Sequence, residues 1–286
     1  MTPATPTLQR IVAGVDSSDN AARAASWAAG QAIDLAIPLL LVHALDLGAT
    51  SVYSTAAGYV AARRESGARL LGDLGARLRD RFPGLLLETE LSDIDAAQTL
   101  IALSEQAALT VTGTRGHGGF AGLLLGSVSL KLAAHSHGPA IVVRGEEPGE
   151  PLNEIVLGVQ PEEHDAPIRF AFDTAARFGA TLHVVRAWWP PAFYGGYYVD
   201  DTDMTADSQE TEALTLIKGV REEYPQVRVT VESMRGNAVP MLIEAARGSR
   251  LLVIGAHRHR SPLSVGAGYV VQGLLSHSPT PVAVIP

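Results

Sequence analysis

Short apolar runs alternate with longer stretches of mixed polarity along the whole chain. In the first half the runs fall at 9–15, 38–45, 85–91, 109–113 and 140–144, and most of their residues are Val, Leu or Ile. Brief runs of this kind are what strands buried on both faces of a parallel sheet require. Between them, 20–34, 58–81, 95–107 and 127–137 carry helical spacing, and Gly138-Pro139 is a stop signal after the last. The alternation predicts an α/β fold, a doubly wound parallel sheet of five strands in the order 3-2-1-4-5.

The pattern then repeats. Ile11-Val12-Ala13-Gly14-Val15 returns as Ile155-Val156-Leu157-Gly158-Val159, and Val42-His43-Ala44 as Val185-Arg186-Ala187. Val111-Thr112-Gly113 matches Val253-Ile254-Gly255, and Ala140-Ile141-Val142-Val143 matches Pro281-Val282-Ala283-Val284. Four matches in one order, at nearly constant separation, mean duplication of a unit of about 140 residues. The expected domains are 1–146 and 152–286, joined by the polar, Pro- and Gly-containing stretch 146–151.

Composition narrows the function classes. With 22 Lys and Arg against 30 Asp and Glu, the net charge is -8, and neither half is basic. A protein held on nucleic-acid backbones by counterion release is excluded on that balance. Cysteine is absent, which removes disulfides, thiolate metal sites and cysteine nucleophiles. Neither a signal pattern at Met1–Arg10 nor an apolar run of spanning length is present, so the expectation is a cytoplasmic protein without a membrane partner.

The candidate chemistry lies after the fourth run, in Gly113-Thr114-Arg115-Gly116-His117-Gly118-Gly119, followed by Gly126-Ser127-Val128-Ser129. Glycines let a backbone take positive φ and come close to a ligand, and successive amides can form an anion nest. The Gly126-Ser127 step opens a helix whose free N–H groups and dipole favour negative charge. Two amide sources meeting at one place suit a polyphosphate, with Ser127 and Ser129 as hydroxyl donors and Arg115 as a charge. The alternative is a ligand-free turn. No Walker loop is present, and Ala121 breaks the G-x-G-x-x-G that Gly116 and Gly118 would begin.

Asp16 ends the first run. In a 3-2-1-4-5 sheet, strands one and four are neighbours whose carboxyl ends flank the switch-point crevice, so Asp16 and the glycine loop share one cleft. A carboxylate repels phosphate, which directs Asp16 toward ribose hydroxyls or an adenine amino group. The competing reading is an Asx turn or helix cap.

At these residues the sequence resembles the universal stress proteins, in their tandem two-domain form. The family's ATP-binding pattern, G-2x-G-9x-G-[S/T], is met by Gly113, Gly116, Gly126 and Ser127. The resemblance implies a Rossmann-like fold of the adenine nucleotide α-hydrolase type. It also implies ATP, with Mg2+ or Mn2+, in the first domain. Gly14, Val15 and Asp16 would then line the nucleoside end, with Ala44 near the adenine. Thr112, Gly113, Arg115, Gly116, Gly126, Ser127, Val128 and Ser129 would wrap the phosphates. A nucleotide-regulated stress factor with weak hydrolysis at most is the implied activity.

The second half departs from this pattern. Gln160 stands for Asp16, Arg258 for Gly116 and Tyr269 for Ser127, while Gly255 and Gly268 are kept. Arg258, His259 and Arg260 offer charge, but the expectation is a degenerate copy forming an intramolecular pseudo-dimer with the first, and a homodimer is a further possibility. The nine histidines lack metal-ligand spacing, and no G-x-S-x-G elbow exists. Trp188-Trp189-Pro190-Pro191 with Phe193, Tyr194, Tyr197 and Tyr198 reads either as self-packing aromatics or as a partner surface. Two alternatives to nucleotide-occupancy signalling follow: a nucleotide-independent interaction scaffold, or an ATP-consuming enzyme.

Overall fold

A computed structural model describes residues 9–45, 47, 57–116, 125–144, 152–161, 163–188, 205–256 and 268–286. The chain divides into two compact units, with the boundary after Glu146. The first unit runs β1 (Arg10–Gly14), α1 (Asp19–Leu35), β2 (Leu39–Ala44), α2 (Ala57–Arg81), β3 (Leu87–Ser92), α3 (Ala96–Leu103), β4 (Ala107–Gly113), α4 (Ser127–His135) and β5 (Ala140–Val143). All its strand pairs are parallel, in the order β3-β2-β1-β4-β5.

The strand residues divide between two faces, as a doubly wound sheet demands. Val12, Leu40 and Val42 pack with Leu100 of α3, Leu132 of α4 and Ala140. The alternate residues Ile11, Ala13, Leu39 and Leu41 are fully buried too, on the side that α1 covers. α1 presents a face of small residues, Ala21, Ala24, Ala25, Ala28, Ala29 and Ala32, so it comes close to the sheet. Ser18 caps its start, and Ala36 ends it in the left-handed region at φ 53°.

Two elements differ from the expectation. The run at 85–91 is not buried on both faces: β3 lies at the sheet edge with Glu88, Thr89 and Glu90 exposed, a charged edge that resists further pairing. The helix expected to reach 107 ends at Leu103. There Ser104 turns the chain, its N–H reaching Leu100 O and its hydroxyl Ile101 O, and it accepts the His137 N–H. β4 then starts early because Ala107 pairs with Arg10.

The second unit repeats the plan with β6 (Leu152–Gly158), α5 (Asp165–Phe178), β7 (Thr181–Trp188), α6 (Ala206–Glu223), β8 (Val229–Arg235), α7 (Ala238–Ala245), β9 (Ser249–Gly255), α8 (Tyr269–His277) and β10 (Val282–Ile285). Its order, β8-β7-β6-β9-β10, is again 3-2-1-4-5. A buried arginine pins α6 to β7: Arg186 donates to Gln209 at 3.2 Å and to Glu212 at 2.9 Å. Trp188 belongs to β7 itself, whereas Trp189 to Tyr198 lie outside the described residues.

Candidate functional site

The carboxyl ends of β1 and β4 open the crevice in the first unit. Asp16 follows β1 in an Asx turn, its Oδ1 accepting the Ser18 N–H at 3.0 Å and the Ser18 hydroxyl at 2.5 Å. Ser18 caps α1, accepting from Ala21 N–H at 3.2 Å. The two readings of Asp16 are thus divided between its oxygens. Oδ1 holds the turn, capping belongs to Ser18, and Oδ2 faces the glycine loop.

That contact is close. A Cβ added to Gly116 would lie 2.3 Å from Asp16 Oδ2. The Ser18 hydroxyl also reaches the Arg115 carbonyl at 3.3 Å, across 97 residues of sequence. Asp16 and the loop therefore share one cleft, as the strand order requires.

Steric room, not backbone handedness, explains the motif glycines. Among the described residues, positive φ occurs at Ala36, Gly84, Gly179, Gly236 and Gly248, and at none of Gly113, Gly116 or Gly126. A Cβ at Gly113 would meet the carbonyl carbon and oxygen of Asn20 at 2.8 Å, because the alanine face of α1 draws that helix against β4. At Gly126 it would be 3.2 Å from Thr114 O, and at Gly14 2.6 Å from Leu100 Cδ1. His117, Gly118 and Gly119 lie outside the described residues.

The start of α4 is fixed beside the loop by two bonds. Gly126 N–H donates to Thr114 O at 2.7 Å, and Ser129 Oγ donates to Gly113 O at 2.6 Å. Ser129 is buried, so its hydroxyl fastens helix to strand; the expected donation to a ligand falls to its backbone N–H and to exposed Ser127. Gly126 supplies no side-chain cap, which leaves the N–H groups of Ser127, Val128 and Ser129 at the helix's positive end without one. Thr112 is buried with an unpartnered hydroxyl, Arg115 is exposed, and Ala44 ends the neighbouring β2. The Val15 carbonyl accepts from His43 Nδ1 at 2.8 Å, and Val15 N–H donates to Val42 O, so Val15 is held by its backbone. Ser18, Thr114 and Arg144 also belong to this end of the sheet and escaped the sequence reading. Only Ser18 carried a signal, as a helix-start residue in Asp16-Ser17-Ser18-Asp19.

The second unit fills its own crevice differently. Gln160 replaces Asp16, yet a carboxylate is still there: Glu163 Oε1 lies 2.3 Å from a Cβ placed on Gly255. Burial pushes the Glu163 carboxyl above its ordinary range, against the backbone bonds of His164 and Gln160, which draw it down. A carboxyl group thus stands three residues along from Gln160, against the end of β9. Tyr269 opens α8 and is 73% exposed, and among the described residues nothing lies within 4 Å of a Cβ placed on Gly268, unlike Gly126. Arg258, His259 and Arg260 lie outside the described residues.

The sequence profile of the Universal stress protein family matches residues 7–144 and again 152–286. The chain belongs to the universal stress protein family. A universal stress protein of Mycolicibacterium smegmatis is 29% identical over 96% of each chain. One from Mycobacterium tuberculosis is 28% identical over 96% of this chain and 95% of its own. The crystal structure of a universal stress protein from Archaeoglobus fulgidus shares the fold at a TM-score of 0.71, with 17% identity, over 98% of this chain and 96% of that one. Among the described residues no helix is long and apolar enough to cross a membrane, and no group of three or more metal-ligating side chains occurs.

Proposed function

We propose that the first unit of this universal stress protein binds ATP and that the protein works by nucleotide occupancy, as a cytosolic stress-response regulator. One observation carries the reading. The Asp16 carboxylate and Gly116 meet so closely that a side chain would fill the gap, at the foot of a helix start without a side-chain cap. Such a cradle offers hydrogen-bond acceptance at one end and converging amides at the other, the polarity of a nucleoside joined to a polyphosphate. Asp16 Oδ2 would accept from ribose or adenine. The N–H groups of Ser127, Val128 and Ser129, with Arg115, would hold phosphates. Mg2+ or Mn2+ would be carried on the phosphate oxygens and offset their charge.

Turnover is not part of the proposal, since the chain has no Walker lysine. The second unit is proposed to bind no nucleotide, because Glu163 sets a carboxylate against Gly255, where a phosphate loop would begin. ATP at 100 times its dissociation constant should stabilise the fold by about 2.7 kcal/mol. A thermal-shift titration, together with chromatography of nucleotide released from denatured native protein, tests this. Neither a shift nor released adenine nucleotide would overturn it.

A further inference from the structure

Arg144 is the cation that this site leaves unexplained. The register that pairs Gly113 with Val143 brings Arg144, the next residue, opposite Thr114 and beside Arg115. Alternation along β5 puts it on the face of Ala140, which packs with Leu132 and Val128 of α4. Its Nη1 is shut off from solvent and has no hydrogen-bond partner among the described residues. A guanidinium presents five N–H donors in a rigid fork, and a buried donor without an acceptor costs stability unless something meets it. Burial first, and the Arg115 charge second, push the Arg144 guanidinium below its ordinary pKa. Two like charges are therefore held near each other at the end of the sheet, close to the positive start of α4. An anion between the two guanidinium groups would be attracted by both.

We propose that Arg144 is a phosphate-binding residue which, with Arg115, clamps the distal phosphates of the nucleotide and makes the site selective for polyphosphates. This rests on the ATP reading above and names the part of the ligand that the second arginine reads. The sheet supplies the spacing. Asp16 follows β1, Gly113 ends β4 and Arg144 follows β5, so Arg144 stands two strand intervals from the nucleoside end, roughly 10 Å. A nucleoside monophosphate held at Asp16 ends over β4. A triphosphate extends toward β5, where a fork of N–H donors suits terminal phosphate oxygens.

Calorimetric titrations of ATP, AMP and inorganic tripolyphosphate into the full-length protein and its Arg144→Gln and Arg144→Lys variants test the clamp. Arg144→Gln should weaken ATP and tripolyphosphate roughly ten- to hundredfold and leave AMP unchanged, with Lys restoring only part of the loss. Without nucleotide, the Gln variant should melt no lower than wild type, since it removes a like charge and a partnerless donor. Unchanged ATP affinity in the Gln variant, or equal weakening of ATP and AMP, would overturn the proposal. Wild type that binds tripolyphosphate through Arg144 but no adenine nucleotide would sink the ATP reading and leave the clamp standing. Wild type that binds neither would sink both.

Discussion

Gly116→Ala tests whether the motif glycine is there for space. The new methyl would sit 2.3 Å from Asp16 Oδ2, whereas ordinary contact begins at 3.4 Å, so the carboxylate must retreat by about 1 Å. Retreat disturbs the two bonds that Asp16 Oδ1 accepts from Ser18, at 3.0 and 2.5 Å. Bonds to a charged acceptor contribute roughly 1.5–3 kcal/mol each, and part of that survives a tilted geometry, so a net loss of about 1–2 kcal/mol is expected. On the proposed ATP reading the same displacement moves the Oδ2 acceptor, and ATP affinity should fall by roughly tenfold. Urea denaturation gives the stability and calorimetry the affinity, both within a double-mutant cycle with Asp16→Ala. In the Asp16→Ala background the clash has nothing to act on, so the added alanine should cost almost nothing. An equal cost in both backgrounds would refute the steric account and return the explanation to backbone freedom.

Other outcomes follow from the same geometry. Ser129→Ala removes the buried hydroxyl that holds Gly113 O at 2.6 Å and should lower stability by about 1–2 kcal/mol, read as a reduced urea midpoint at constant slope. Gly126→Ala, with Thr114 O only 3.2 Å from the new carbon, should destabilise more than Gly268→Ala, whose new carbon meets nothing within 4 Å among the described residues; equal midpoints would contradict this. Glu163→Gln should show a pH-dependent gain. The folded carboxyl holds its proton more tightly than the unfolded one, so the contribution of Glu163 is greatest below the unfolded value, near 4.3, and is lost as pH rises through the raised folded value. The variant cannot ionise, so its stability relative to wild type should increase from about pH 4 to pH 8. A difference that stays flat across that range would count against a buried, charged Glu163.

Much of this molecule is legible in its hydrophobic pattern, because a parallel sheet covered on both faces demands short apolar strands separated by helices. The repeat, the strand order and the meeting of Asp16 with the glycine loop all follow from that demand. Where the reading stopped, tertiary competition decided. From Ser104 to Ala107 the sequence Ser-Glu-Gln-Ala carries no Gly or Pro, so nothing local ends α3. The helix yields because Ala107 pairs with Arg10 and Ser104 binds the backbone of both Ile101 and His137.

The glycines and the second crevice show a subtler limit. A glycine spacing says that side chains are excluded, but the excluding groups, Asn20, Asp16 and Thr114, lie on other segments and become visible only when the chain is folded. Likewise, comparing the two halves position by position finds Gln160 opposite Asp16 and suggests a lost charge. A glutamate side chain is one methylene longer than an aspartate's, and from Glu163 it reaches the end of β9 by another route. Crevice chemistry is thus set by where a carboxylate arrives, not by which position sends it. The first unit brings one beside Gly116, at the carboxyl ends of β1 and β4. The second sets one against Gly255, at the carboxyl end of β9.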